Sequence, residues 1–130
     1  MEGARRQDLR TYRRRHAHGE SMGVSAAAIA IAIEHVESRG QWWVVSGSGC
    51  VGVMQVCPQW SKYPKAWLLN PAINREEGNR ILNYWYTRAH HNWHAAIAAY
   101  RCGNGGLTGK CGSYYANRVL KLASPASTDT

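Results

Sequence analysis

The segment from Ser25 to Ser38 constrains the fold more than any other. Ala and Ile fill its body, Ser25 offers a side-chain cap, and Gly40 lies just past its end, so the pattern predicts a helix over 25–38. Ala26, Ala30, Ile33 and Glu37 are spaced by four, three and four residues and share one face of that helix. The last position on this apolar face is a glutamate, an odd place for a charge unless the helix end borders a cleft. The longest apolar run, Val24 to Ile33, is about half the ~20 residues of a membrane span, which excludes a membrane-spanning chain.

At 130 residues the chain fits one domain, and 45% hydrophobic content with six Trp argues for a packed core rather than a disordered polymer. Residues 1–20 are polar and Arg-rich and read as a basic arm or a first helix, ahead of a turn at Gly19–Gly23. Residues 42–57, with Trp42-Trp43-Val44-Val45, Ser46-Gly47-Ser48-Gly49 and Val51 to Val56, read as short β-like pieces around a tight turn or as an irregular loop. Pro58, Pro64 and Pro71 punctuate a loop. Helical spacing returns from about Ile73 to Asn92, with Ile81, Leu82, Trp85 and Tyr86 as core candidates, and again over roughly 93–101 and 113–123. Cys102 to Gly112 holds five glycines and reads as a loop. The division is therefore 1–20, a domain over 21–123, and a small polar tail over 124–130.

The acids are Glu2, Asp8, Glu20, Glu34, Glu37, Glu76, Glu77 and Asp129, so carboxylate chemistry in the core rests on four glutamates. The formal charge is +8, spread along the chain, which suits a polyanionic partner: nucleic acid or the anionic bacterial wall. Glu34 lies one turn from Glu37 on the same helix, so the two cannot easily flank a bound group from opposite sides.

The order Glu37-Ser38, Ser46 nine residues after Glu37, Gly49-Cys50-Val51-Gly52-Val53-Met54-Gln55, Asn74 with Gly78, and Ala99-Tyr100 carries a resemblance. Over about residues 22–122 the chain resembles the catalytic domain of the soluble lytic transglycosylases, relatives of goose-type lysozyme. Cys50 stands for the usual Ala, Val53 for Leu, and Arg101 for the Asn that follows Ala-Tyr in that family. The resemblance implies a mainly α, lysozyme-like single domain with a short β-like or irregular segment around 42–57. It implies cleavage of the β-1,4 bond between N-acetylmuramic acid and N-acetylglucosamine in peptidoglycan, with a 1,6-anhydro product. Glu37 is then the catalytic acid and base, in an apolar setting that keeps it partly protonated. Ser38, Ser46, Met54, Gln55, Tyr100 and Tyr115 are the substrate-binding candidates, with Ser38 orienting the carboxylate, Met54 as a cleft wall and Tyr100 as a hydroxyl near Glu37. No cofactor or metal is implied.

Asn74 and Gly78 read as structural, and Glu76 and Glu77 as favouring the positive end of a helix dipole. His90, His91 and His94 offer an i, i+4 imidazole pair, but no Cys or acid lies near them in sequence and His-Glu-x-x-His is absent. Cys50, Cys57, Cys102 and Cys111 allow three pairings, Cys50–Cys57 with Cys102–Cys111 among them, or free thiols in a reducing compartment. Three further readings stay open: a lysozyme-type hydrolase, a non-catalytic wall-binding or virion component kept alive by Arg101, and a nucleic-acid binder using the basic arm. The partner expected is the glycan strand, acted on by a monomer in the periplasm or cell wall. No signal peptide is visible behind Arg5 and Arg6, so a bacteriophage protein released through a holin, or carried in the particle through residues 1–20, is expected. A substrate of a specialised secretion system is the alternative.

Overall fold

A computed structural model describes residues 24–125. The arm expected over 1–20, the turn at Gly19–Gly23 and residues 126–130 of the expected tail lie outside the described residues. The described chain is mainly helical, as a lysozyme-like domain should be. Helix α1 covers Ala26–Ser38, α2 Lys65–Leu68, α3 Pro71–Arg88, α4 Trp93–Cys102, α5 Asn104–Leu107 and α6 Ser113–Ala123, with a 3₁₀ turn at Pro58–Trp60.

Local chemistry sets these boundaries. Ser25 accepts a hydrogen bond from the Ala28 amide at the start of α1, and Arg39 ends the helix in the left-handed conformation with φ 54°. Asn70 caps α3 by accepting from the Ala72 and Ile73 amides, and Asn92 caps α4 by accepting from the Ala95 amide.

Three expectations need correction. The third helix starts two residues earlier than its apolar spacing, because Pro71 occupies the first helical position, where a missing N–H costs nothing. It also stops at Arg88: His90 and His91 have φ of 53° and 63° and lie in the connection, so they share no helix face with His94. The glycine-rich segment 102–112 is interrupted by the single turn of α5.

The packing centre is α4, which contacts α3, α5 and α6, while α1 packs on α6 and more lightly on α3. Ala96, Ile97, Ala98 and Ala99 are buried, and these small side chains admit close neighbours. A Cβ at Gly106 would collide with the Ala98–Ala99 backbone, so α5 can sit there only with glycine. Of the expected face on α1, Ala30 and Ile33 are buried and Ala26 is exposed.

Residues 45–56 are joined by two antiparallel bridges, Val45 to Val51 and Val51 to Val56. Val51, Val53, Met54 and Val56 are buried in the core, which makes this segment the floor beside the end of α1. Asn74 fixes it to α3: its Oδ1 accepts from the Met54 amide at 2.8 Å, and its Nδ2 donates to the carbonyls of Val51 and Leu68 at 2.7 Å each. Gly52 has φ 83°, and a Cβ there would strike Asn74 and the Leu68 carbonyl. Disulfides join Cys50 to Cys57 and Cys102 to Cys111.

Candidate active site

Glu37 sits on the last turn of α1 with its side chain 10% exposed. Tyr115 of α6 donates its hydroxyl to Glu37 Oε2 at 2.8 Å. Arg101, near the end of α4, brings Nη1 to 3.6 Å from Glu37 Oε1 and lies over the Tyr115 ring at 5.5 Å. Burial raises the Glu37 pKa above the ordinary carboxylate value; the Tyr115 bond and the Arg101 charge oppose that rise without cancelling it. Burial, followed by the neighbouring Glu37 charge, pushes the Tyr115 and Tyr100 hydroxyls far up, so both remain donors. Tyr100 donates to the Met54 carbonyl at 2.7 Å and ties α4 to the floor segment.

Glu34 faces a different partner. Its carboxylate takes two bonds from Arg75 of α3, at 2.9 and 3.1 Å. Glu77, read from the sequence as a helix-dipole charge, is buried and accepts from Ser61 at 2.7 Å and from Arg80 at 3.2 Å. Burial would raise its pKa, but the bonds from Ser61 and Arg80 and the charges of Arg80 and Lys62 outweigh it and lower the value. His91 stacks on Tyr86, and His94 shares a 3.0 Å hydrogen bond with Asn117. Among the described residues no three His, Cys, Asp or Glu are grouped to hold a metal ion.

A cleft of about 520 Å³ opens beside Glu37, between residues 48–60, the middle of α3 and the end of α4. Its walls include Gln55, Trp60, Arg80, Tyr84, Tyr100 and Arg101. Glu37 is not itself a wall; it stands behind Arg101, which is. Trp85 lies in the core and Ile81 packs against it, as the sequence reading expected, and both also border this cleft. That reading missed Trp60 and Tyr84, whose only sequence signal is a large aromatic in a polar stretch; both are well exposed.

The expected site residues divide into two groups. Glu37, Tyr100 and Tyr115 converge, and Gln55 borders the cleft with φ 52° while its Nε2 donates to the carbonyls of Val44 and Gly52. Two others turn inward. Ser38, expected to orient the carboxylate, is 5% exposed; its hydroxyl bonds the carbonyls of Val53 and Glu34 and accepts from the Gly40 amide. Met54, expected as a cleft wall, is fully buried against Gly78, because the Asn74 clamp directs its side chain toward α3. Ser46 accepts from the Cys50 amide and shares a bond with Ser48, shaping the loop above the cleft.

Searches of curated proteins and of solved structures found no match. The family model described as "Transglycosylase SLT domain" matches residues 17–120, which span the described helices almost completely. The match supports a lytic-transglycosylase-type, peptidoglycan-degrading function. With four-fifths of its length matched, the chain belongs to the transglycosylase SLT domain family.

Proposed function

We propose that this protein is a peptidoglycan lytic transglycosylase that cuts the β-1,4 bond between N-acetylmuramic acid and N-acetylglucosamine without water. The observation that carries the reading is Glu37 itself: a largely buried carboxyl with a raised pKa beside the cleft, met by an arginine only at 3.6 Å, while Glu34 and Glu77 accept hydrogen bonds from Arg75 and Arg80. In this mechanism Glu37 donates its proton to the glycosidic oxygen as the C1–O bond breaks and the N-acetyl carbonyl oxygen bonds to C1. The Glu37 carboxylate then removes the proton of the 6-hydroxyl. O6 displaces the acetamido oxygen at C1, which yields the 1,6-anhydro ring and returns the proton to Glu37. Tyr115, a donor throughout, holds Oε2, so Oε1 is the oxygen that exchanges the proton.

A hydrolase of the same bond would require a water positioned on the far face, and among the described residues no carboxylate lines the cleft to hold it there. The formal charge of +8 supports retention on the anionic wall, where the enzyme would act. Mass spectrometry of soluble muropeptides from purified peptidoglycan tests the proposal. Products one water lighter than hydrolysed muropeptides, lost in Glu37→Gln, are the expected result. Reducing-end products would instead assign hydrolysis, and no product from the wild-type protein would overturn an enzymatic role.

A further inference from the structure

Arg101 occupies the one oxygen of Glu37 that the proposed chemistry needs. Tyr115 bonds Oε2 at 2.8 Å, and Arg101 faces Oε1 at 3.6 Å, longer than the ~2.7–2.9 Å of a tight charge-assisted bond. The two partners differ in their freedom to leave. Glu37 is 10% exposed and held by α1, whereas Arg101 is 57% exposed and forms part of the cleft wall. The other cationic wall residue, Arg80, is already committed to Glu77 and donates to the Trp60 carbonyl at 2.6 Å. Among the described residues no carboxylate lines the cleft. An acidic group entering it therefore meets one loosely held guanidinium, stacked on Tyr115 and able to turn toward it at small cost.

We propose that Arg101 is a specificity-determining residue that exchanges its partner on binding, leaving Glu37 Oε1 for a carboxylate carried by the glycan. The inference rests on the function proposed above. A muramyl residue supplies that chemistry from two sources: the lactyl carboxylate of a peptide-free strand, or the carboxylates of an attached stem peptide. Either would draw the guanidinium from Oε1 and open that oxygen to the glycosidic bond, so that a substrate bearing the acid clears the catalytic group as it binds. In this scheme Arg101 binds the glycan's carboxylate directly and affects the bond being cut only through Glu37.

Three substrates distinguish the sources: peptide-bearing glycan, glycan stripped of peptides so that the lactyl carboxylate is free, and the stripped glycan with that carboxylate converted to its neutral methylamide. Wild-type protein should favour at least one carboxylate-bearing substrate over the methylamide by about tenfold in kcat/KM, the worth of one charged contact. Arg101→Asn should erase the preference chiefly through KM, and Arg101→Lys should restore part of it. Equal wild-type rates on all three substrates, or an Arg101→Asn loss equal on charged and neutral glycan, would overturn the proposal in favour of a purely structural role.

Co-sedimentation with the same glycans gives a readout that does not need catalysis. Glu37→Gln frees Arg101 and should tighten binding to carboxylate-bearing glycan severalfold. That gain should vanish in the Glu37→Gln, Arg101→Asn double variant. Arg101-dependent binding without cleavage would sink the catalytic reading and leave the carboxylate contact standing; a gain independent of Arg101 would sink the exchange itself.

Discussion

Tyr115 and Glu37 lie 78 residues apart in sequence, and their side chains meet at 2.8 Å where α6 crosses the end of α1. The phenol is a donor locked by burial, and the carboxyl is an acid raised by burial, so the pair fixes one oxygen and leaves the other for chemistry. Tyr115→Phe removes a bond that favours the carboxylate, so the Glu37 pKa should rise further. The alkaline limb of the activity profile should then move to higher pH, while kcat falls by roughly tenfold as the free oxygen loses its orientation. Unchanged pH limbs would mean that Tyr115 does not touch the reacting group.

Glu37 and Glu77 make opposite contributions to stability with pH. The folded Glu37 pKa is raised above the ordinary 4.5, so the folded state binds more protons there than the unfolded state, and stability falls as pH climbs from about that value through the folded pKa. Glu77 is depressed below the same value, so its contribution is present above about 4.5 and is lost as pH drops through its folded pKa. Thermal melts of Glu37→Gln at neutral pH should show a gain of roughly 1 kcal/mol, with activity abolished. Glu77→Gln should be less stable than wild type at neutral pH and lose less on acidification.

Asn74 serves both faces of the floor segment with its three bonds to Met54, Val51 and Leu68. Asn74→Ala should cost about 3 kcal/mol, because buried backbone groups lose their partners. Denaturant unfolding measures the loss. Activity should fall as well, since the Met54 carbonyl receives Tyr100 and the same turn carries Gln55.

Gly78 is tested by Gly78→Ala. Its Cβ would lie 2.5 Å from the Met54 sulfur and 2.9 Å from the Met54 Cβ. The side-chain end can move, but the Cβ cannot without shifting the floor, so a destabilisation of about 1–3 kcal/mol is expected in the same unfolding measurement.

The disulfides flank the cleft: Cys50 and Cys57 on one side, Cys102 next to Arg101 on the other. Replacing either pair with Ser should lower stability by about 2–3 kcal/mol. Loss of Cys102–Cys111 should also reduce turnover, because it loosens the connection that follows Arg101. Parallel melts and muropeptide yields of the two double variants check this.

Much of the fold was legible in the chain. The Ser25 cap, the Ala/Ile periodicity of α1 and the apolar spacing of α4 and α6 are local signals, and they located the helices because a helix face repeats within a few residues. Boundaries slipped where a backbone device intervened: Pro71 opening α3, and left-handed His90 and His91 closing off the connection after it. The motif order likewise marked Glu37, Tyr100 and Tyr115 as candidates; the charge at the end of the apolar stripe does not itself line the cleft and reaches it only through Arg101.

Which way each side chain turns was decided only in three dimensions. Glu34 and Glu37 are one turn apart, yet one meets Arg75 of α3 and the other Tyr115 of α6, since different helices cross α1 at those two positions. Ser38 and Met54 match the same motif as Glu37 and Gln55, but the first bonds Val53 and the second is pulled inward by the Asn74 clamp. Arg101 was visible as a departure from the family pattern, while its place against Oε1 of Glu37 was not. Sequence alone determined the helices and put Glu37 forward as the candidate acid, because those depend on short-range periodicity and residue chemistry. Tertiary structure decided the partners of Glu34 and Glu37, because Arg75 and Tyr115 arrive from elements 41 and 78 residues away whose packing no local pattern encodes.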